Sequence, residues 1–70
     1  MNMIPVSSSN LSAVGYDEKS KTLFITFHKS GTYAYDNVPE SVYRGLMAAG
    51  SKGQYHKAYI KHSFPYRRLG

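Results

Sequence analysis

Between Lys21 and His28 the side chains alternate, with Leu23, Ile25 and Phe27 on one face and Thr22, Phe24, Thr26 and His28 on the other. A period of two marks a strand, because successive side chains leave opposite sides of an extended backbone. Upstream, Leu11, Ala13 and Gly15 alternate with Ser12, Val14 and Tyr16, which suits a first strand partly covered on both faces. The polar cluster Asp17-Glu18-Lys19-Ser20 between the two runs is a chain reversal. Lys29-Ser30-Gly31 is a second, with glycine free to take a positive φ. Tyr33 to Asp36 then makes a third strand, in which Tyr33 and Tyr35 share a face. Three strands joined by tight turns form an antiparallel meander, and such a sheet needs a cover.

The pattern changes at Pro39, which suits the first residue of a helix because its missing N–H costs nothing there. Val42, Tyr43, Leu46 and Met47 form one apolar stripe opposite Glu40 and Arg44, predicting an amphipathic helix of about three turns that ends at Gly50. Gly45 inside it points to a close approach by another backbone. Ser51 is a natural cap for a second helix from Lys52 to about Lys61, its hydroxyl accepting the N–H of Gly53 or Gln54. Here Tyr55, Ala58, Tyr59 and His62 line one side, while Ile60 points away and has His56 one turn before it. Phe64-Pro65-Tyr66 stops the helix, leaving Arg67-Arg68-Leu69-Gly70 as an edge strand or a disordered tail. The expected fold is α+β: a three-stranded antiparallel meander packed against two C-terminal helices. It forms one domain over residues 1–70, with 1–5 and 67–70 as the candidates for disorder.

Composition narrows what such a domain does. With 70 residues and no cysteine, the chain has a small core, no disulfide framework and no thiolate zinc site, so packing or association into homo-oligomers must hold it. No basic region followed by an apolar run opens the chain and no membrane-length apolar run occurs, which predicts a soluble cytoplasmic protein without a membrane partner. The net charge of +5 favours anions, and residues 52–70 carry Lys52, Lys57, Lys61, Arg67 and Arg68 with no Asp or Glu.

The order Val6-Ser7-Ser8-Ser9, Ala13-Val14-Gly15-Tyr16-Asp17, Leu23 to Phe27, Gly31, Tyr33-Ala34-Tyr35, Val38-Pro39, Val42-Tyr43, Leu46, Ser51-Lys52-Gly53 and Tyr55 resembles the KTSC domain. This small bacterial and phage domain is named for the carboxy terminus of certain lysyl-tRNA synthetases. The resemblance covers nearly the whole chain and rests most on Tyr-x-Tyr followed by Val-Pro. It implies a stand-alone or appended domain that binds RNA, in a bacterial cytoplasm or, for a phage member, that of the host, and it brings no catalytic residues. Two departures stand out: the family usually reads Tyr-Phe-Asn where this chain has Tyr55-His56-Lys57.

Single-stranded nucleotides are held by aromatic stacking beside a cationic track. Tyr33 and Tyr35 match that platform in outline, although a Tyr-x-Tyr pair under a helical cover reads first as half-buried packing with its hydroxyls at the surface. Tyr55, Tyr59 and Tyr66 interleave with Lys52, Lys57, Lys61, Arg67 and Arg68, and Arg67 with Arg68 extends the track by bidentate donors. If about four of these cations meet phosphates, log K falls with log salt at a slope of roughly −3. Ser51-Lys52-Gly53 adds a short, unspecific anion candidate. Catalysis lacks its parts: His56 and His62 point about 120° apart on a helix, so no metal site forms from one face. The four carboxylates, Asp17, Glu18, Asp36 and Glu40, sit at turns or helix starts where capping explains them. The sequence therefore predicts a non-catalytic module without cofactor or metal that binds anions, RNA above all. A module sequestering a small phosphorylated nucleotide and a protein interaction domain are the alternatives.

Overall fold

The computed structural model describes residues 2–70. It corrects the expected three strands to five, in one antiparallel sheet of order β1-β2-β3-β4-β5. The strands are β1 Ile4–Pro5, β2 Leu11–Asp17, β3 Thr22–Phe27, β4 Gly31–Tyr35 and β5 Tyr66–Arg68. The three central strands are those that alternation predicts. Both additions are edge strands too short to carry a period, each held by backbone pairing to its neighbour: Ile4 opposite Val14, and Tyr33 opposite Arg68. The tail stays in register beyond Arg68, since Leu69 N–H donates to Thr32 O at 2.7 Å and Thr32 N–H to Gly70 O at 3.3 Å.

Local chemistry sets the turns. Asp17 Oδ1 accepts the N–H of Lys19 at 3.1 Å, and Lys21 closes the first reversal with a φ of 56°. Gly31 has a φ of 89°, and a β-carbon there would lie 2.6 Å from the Gly70 carbonyl oxygen. Position 31 therefore needs glycine twice over: for its backbone angle and for the passage of the tail. A bulge between Leu11 and Ala13 keeps both Leu11 and Val14 on the covered face. β4 ends at Tyr35, and two residues on Asn37, with a φ of 59°, turns the chain toward the helices.

Helix α1 runs Glu40–Ala48, with Pro39 as its extended N-cap, one place before the expected helical position. Helix α2 opens at Lys52–Tyr55, Ser51 Oγ accepting the N–H of Gln54 at 3.4 Å as a cap should. It continues through a π-helical turn, His56–Ile60, closed by Lys61 N–H on His56 O at 2.8 Å. The predicted tyrosine stripe is not its inward side. His56 and Ile60 are buried, whereas Ala58, Tyr59 and His62 are exposed. Tyr55 packs its ring over Gly45 of α1, so the close neighbour expected at that glycine is a side chain and not a backbone.

The core lies between one sheet face and the helices: Leu11, Val14, Leu23, Ile25, Val38, Leu46 and Ile60 are all fully buried. Tyr16 seals one end by donating its hydroxyl to Val38 O at 2.5 Å and stacking on Tyr43 at 4.8 Å. The cross-strand row Gly15, Phe24 and Ala34 occupies the opposite sheet face, beside the hydroxyl pair Thr26–Thr32 at 2.8 Å.

Candidate anion-binding groove

The register that buries Leu23 and Ile25 carries Phe27 to the end of the covered face, where the β3–β4 turn meets the second helix. A recess of about 430 Å³ opens there. Its walls include His28 and Lys29 from the turn and His56, Lys57 and Lys61 from the helix, with Phe27 as its apolar floor. Lys57 and Lys61, four apart, project from one side of that helix as predicted. Among the described residues no carboxylate lines the recess, so its cations face a ligand without an internal counter-ion there.

A second recess of about 230 Å³ adjoins the first and shares Phe27, Ser30, His56 and Lys61 with it. It is aromatic, walled by Tyr33, Tyr35 and Tyr66. β5 creates it: Tyr66 pairs with Tyr35 across the sheet, placing its ring 5.6 Å from that of Tyr35 and 5.8 Å from that of Tyr33. Phe27 meets Tyr33 edge-on at 5.6 Å and His56 at 5.0 Å. A cationic half and an aromatic half thus lie side by side, with the imidazole of His56 between them.

His56 is buried, and its Nε2 lies 2.8 Å from the hydroxyl of Tyr35. Burial pushes the Tyr35 hydroxyl up to about 12, with Tyr33 and Tyr66 adding to it, so this group keeps its proton. Burial also holds His56 below its ordinary 6.5, assisted by the charges of Lys61 and His62. The sign for stability follows. Below about pH 6.5 the unfolded chain takes up a proton that the folded chain refuses, so folding weakens as pH falls through that range toward the folded value. Thermal melts from neutral pH to about 5 are expected to show this loss, and His56→Phe to lack it. A melt of that variant that still tracks the wild type across the range excludes the imidazole as the cause.

The other sequence-predicted residues are divided. Tyr33, Tyr35, Lys57 and Lys61 meet at the groove. Lys52 lies beside a separate polar recess with Ser7 to Ser9 and donates to Ala49 O at 3.2 Å. Tyr55 and Tyr59 contact each other at 4.8 Å on the α1 side. Arg67 is neutralised by both oxygens of Asp36, at 2.9 and 2.8 Å, and Arg68 is anchored by its Nε on Ser30 O at 2.9 Å. The residues that sequence reasoning missed are Phe27, His28, Lys29 and His56. The departure Tyr55-His56-Lys57 was the one signal, since it marks a polar group at a position that the core encloses.

The fold and groove define a small α+β domain, an antiparallel sheet covered on one face by two helices, with a cationic and aromatic cleft at their junction. The family model of the KTSC domain matches residues 7–64, and the chain belongs to that family. The crystal structure of a KTSC domain protein from Yersinia pestis superposes with a TM-score of 0.97 at 40% identity, over 99% of this chain and 97% of that one. A protein of Tsukamurella paurometabola is 39% identical over 62 residues, 89% of this chain and 92% of the relative. A lysine–tRNA ligase of Nostoc punctiforme is 34% identical over 67 residues, which are 96% of this chain and 12% of that enzyme.

Proposed function

We propose that this chain is a non-catalytic binding module for anionic ligands, with single-stranded RNA as the favoured ligand. The observation that carries the reading is the groove itself: Lys29, Lys57 and Lys61 beside an aromatic recess, with no carboxylate among them. Phosphates suit the cationic half and unstacked bases the aromatic half, where each stacked base contributes about 1–3 kcal/mol. Relatives named as lysine–tRNA ligases, enzymes whose name includes an RNA, contain this domain as a small part of their length, which adds weight to RNA. Arg67 drops out of the track because Asp36 already holds it. With three lysines in place of four cations, the salt dependence softens to a slope of about −2. Capture of a single small nucleotide is the second reading, favoured by the size of the paired recesses.

A ladder of labelled single-stranded RNA lengths, titrated by fluorescence anisotropy at several salt concentrations, tests the proposal. Affinity is expected to rise with length over the first few nucleotides and to fall with salt at that slope. Affinity independent of length, with a mononucleotide as tight as any oligomer, selects the second reading. No binding to RNA or nucleotide alongside binding to a neutral peptide library refutes both in favour of protein interaction.

A further inference from the structure

The groove has one buried hydrogen-bonded pair, Tyr35 and His56, at the point where its two halves meet. Tyr35 and His56 bond to each other and to no other side chain, and no buried side-chain nitrogen or oxygen among the described residues lacks a partner. Two consequences follow for the proton. Tyr35 is buried with Nε2 of His56 as its hydroxyl's partner, and the arrangement in which the hydroxyl donates there gives its proton an acceptor. A neutral imidazole that accepts at Nε2 carries its proton on Nδ1. Among the described residues Nδ1 has no hydrogen-bond partner and is not fully enclosed, and His56 lines both recesses. Tyr35 therefore fixes the tautomer and the ring plane, Phe27 supports the ring edge-on, and an N–H donor faces the junction of cationic and aromatic halves.

We infer that the two recesses together take one nucleotide unit, its base against Tyr33, Tyr66 and Phe27 and its phosphate among Lys29, Lys57 and Lys61, and that His56 Nδ1–H is the donor that reads it. This rests on the groove being the anion site. It goes further in making the ligand a base joined to a phosphate, rather than any polyanion, and in making Tyr35 a positioning residue that acts through His56. Donation from a neutral, oriented N–H leaves recognition intact at neutral pH, where a free imidazolium is scarce. The charged or titratable groups around His56 are Lys57, Lys61 and His62 on its own helix, His28 and Lys29 on the turn, and the tyrosines Tyr33, Tyr35 and Tyr66 of the sheet. All the ionised ones are cationic, so none competes with a phosphate for that donor.

Long-range proton–nitrogen NMR of the wild-type protein reads the tautomer directly. His56 is expected protonated at Nδ1 and bare at Nε2, and Tyr35→Phe is expected to give a mixture of tautomers. Titrating adenosine monophosphate, adenosine and inorganic phosphate in turn should move the Nδ1 resonance for the nucleotide at concentrations where neither fragment does. His56→Phe, which restores the aromatic ring usual at that position, should weaken a short RNA about tenfold while leaving its salt slope unchanged, because the lysines remain. A wild-type imidazole protonated at Nε2, phosphate binding as tightly as the nucleotide, or an undiminished RNA affinity in His56→Phe overturns the inference while the RNA reading stands. Resonances and anisotropy that ignore every RNA and nucleotide overturn both together.

Discussion

Ile60→Ala is expected to cost about 2–5 kcal/mol, the loss from emptying a buried branched side chain plus the cavity it leaves. Ile60 is fully buried in the cluster with Leu46, Val38 and Ile25, and it is the main apolar anchor of the second helix on the sheet. A chain of 70 residues has about 4–10 kcal/mol of folding free energy, so this single change brings the domain close to its threshold. Urea unfolding should show a lower midpoint with an unchanged slope. Tyr59→Ala is the matched comparison one residue away, at a side chain 59% exposed, and it should cost under about 1 kcal/mol. Equal losses at the two positions would return the inward face of that helix to the tyrosine side.

That pair of variants also shows where the sequence is legible. β2, β3 and β4 could be read because each has five to seven residues and one covered face, so burial imposes a visible period. β1 could not, and β5 only as one alternative for the basic tail: they have two and three exposed residues, held by backbone pairing that leaves no trace in side-chain pattern. The second helix is legible in its extent, whereas its side-chain pattern leaves the inward face undecided between the tyrosine stripe and Ile60. A histidine four residues before Ile60 counts as polar in any periodicity argument, and only the hydroxyl of Tyr35, from a distant strand, makes its burial affordable. The same long-range closure explains the groove. Lys57 and Lys61 are legible as a helical pair, but their meeting with Lys29 depends on how the β3–β4 turn docks against that helix. The neutralisation of Arg67 depends on Asp36, 31 positions earlier in the chain. Charge runs in a sequence report what is present, and tertiary pairing decides which of those charges remain available.

Lys57→Glu combined with Lys61→Glu is expected to weaken single-stranded RNA by at least about 100-fold, because two charge-assisted phosphate contacts are lost and replaced by repulsion. The salt slope should collapse from about −2 toward zero, since Lys29 alone faces two new carboxylates. Both side chains are exposed, so the folded domain should keep its melting temperature and the effect reads as binding. Arg67→Ala separates this groove from a diffuse cationic tail. Its guanidinium already satisfies Asp36, in an exposed pair of small energetic value, so RNA affinity should change by no more than about twofold. A diffuse tail predicts no such ranking, with every cation from Lys52 onward contributing alike. If Arg67→Ala loses as much affinity as either single lysine variant, the ligand follows the β5 edge rather than the cleft. Retention of full affinity by the double glutamate variant would instead remove the helix from the binding surface altogether, since Lys57 and Lys61 supply two of the three lysines on which the cationic half depends.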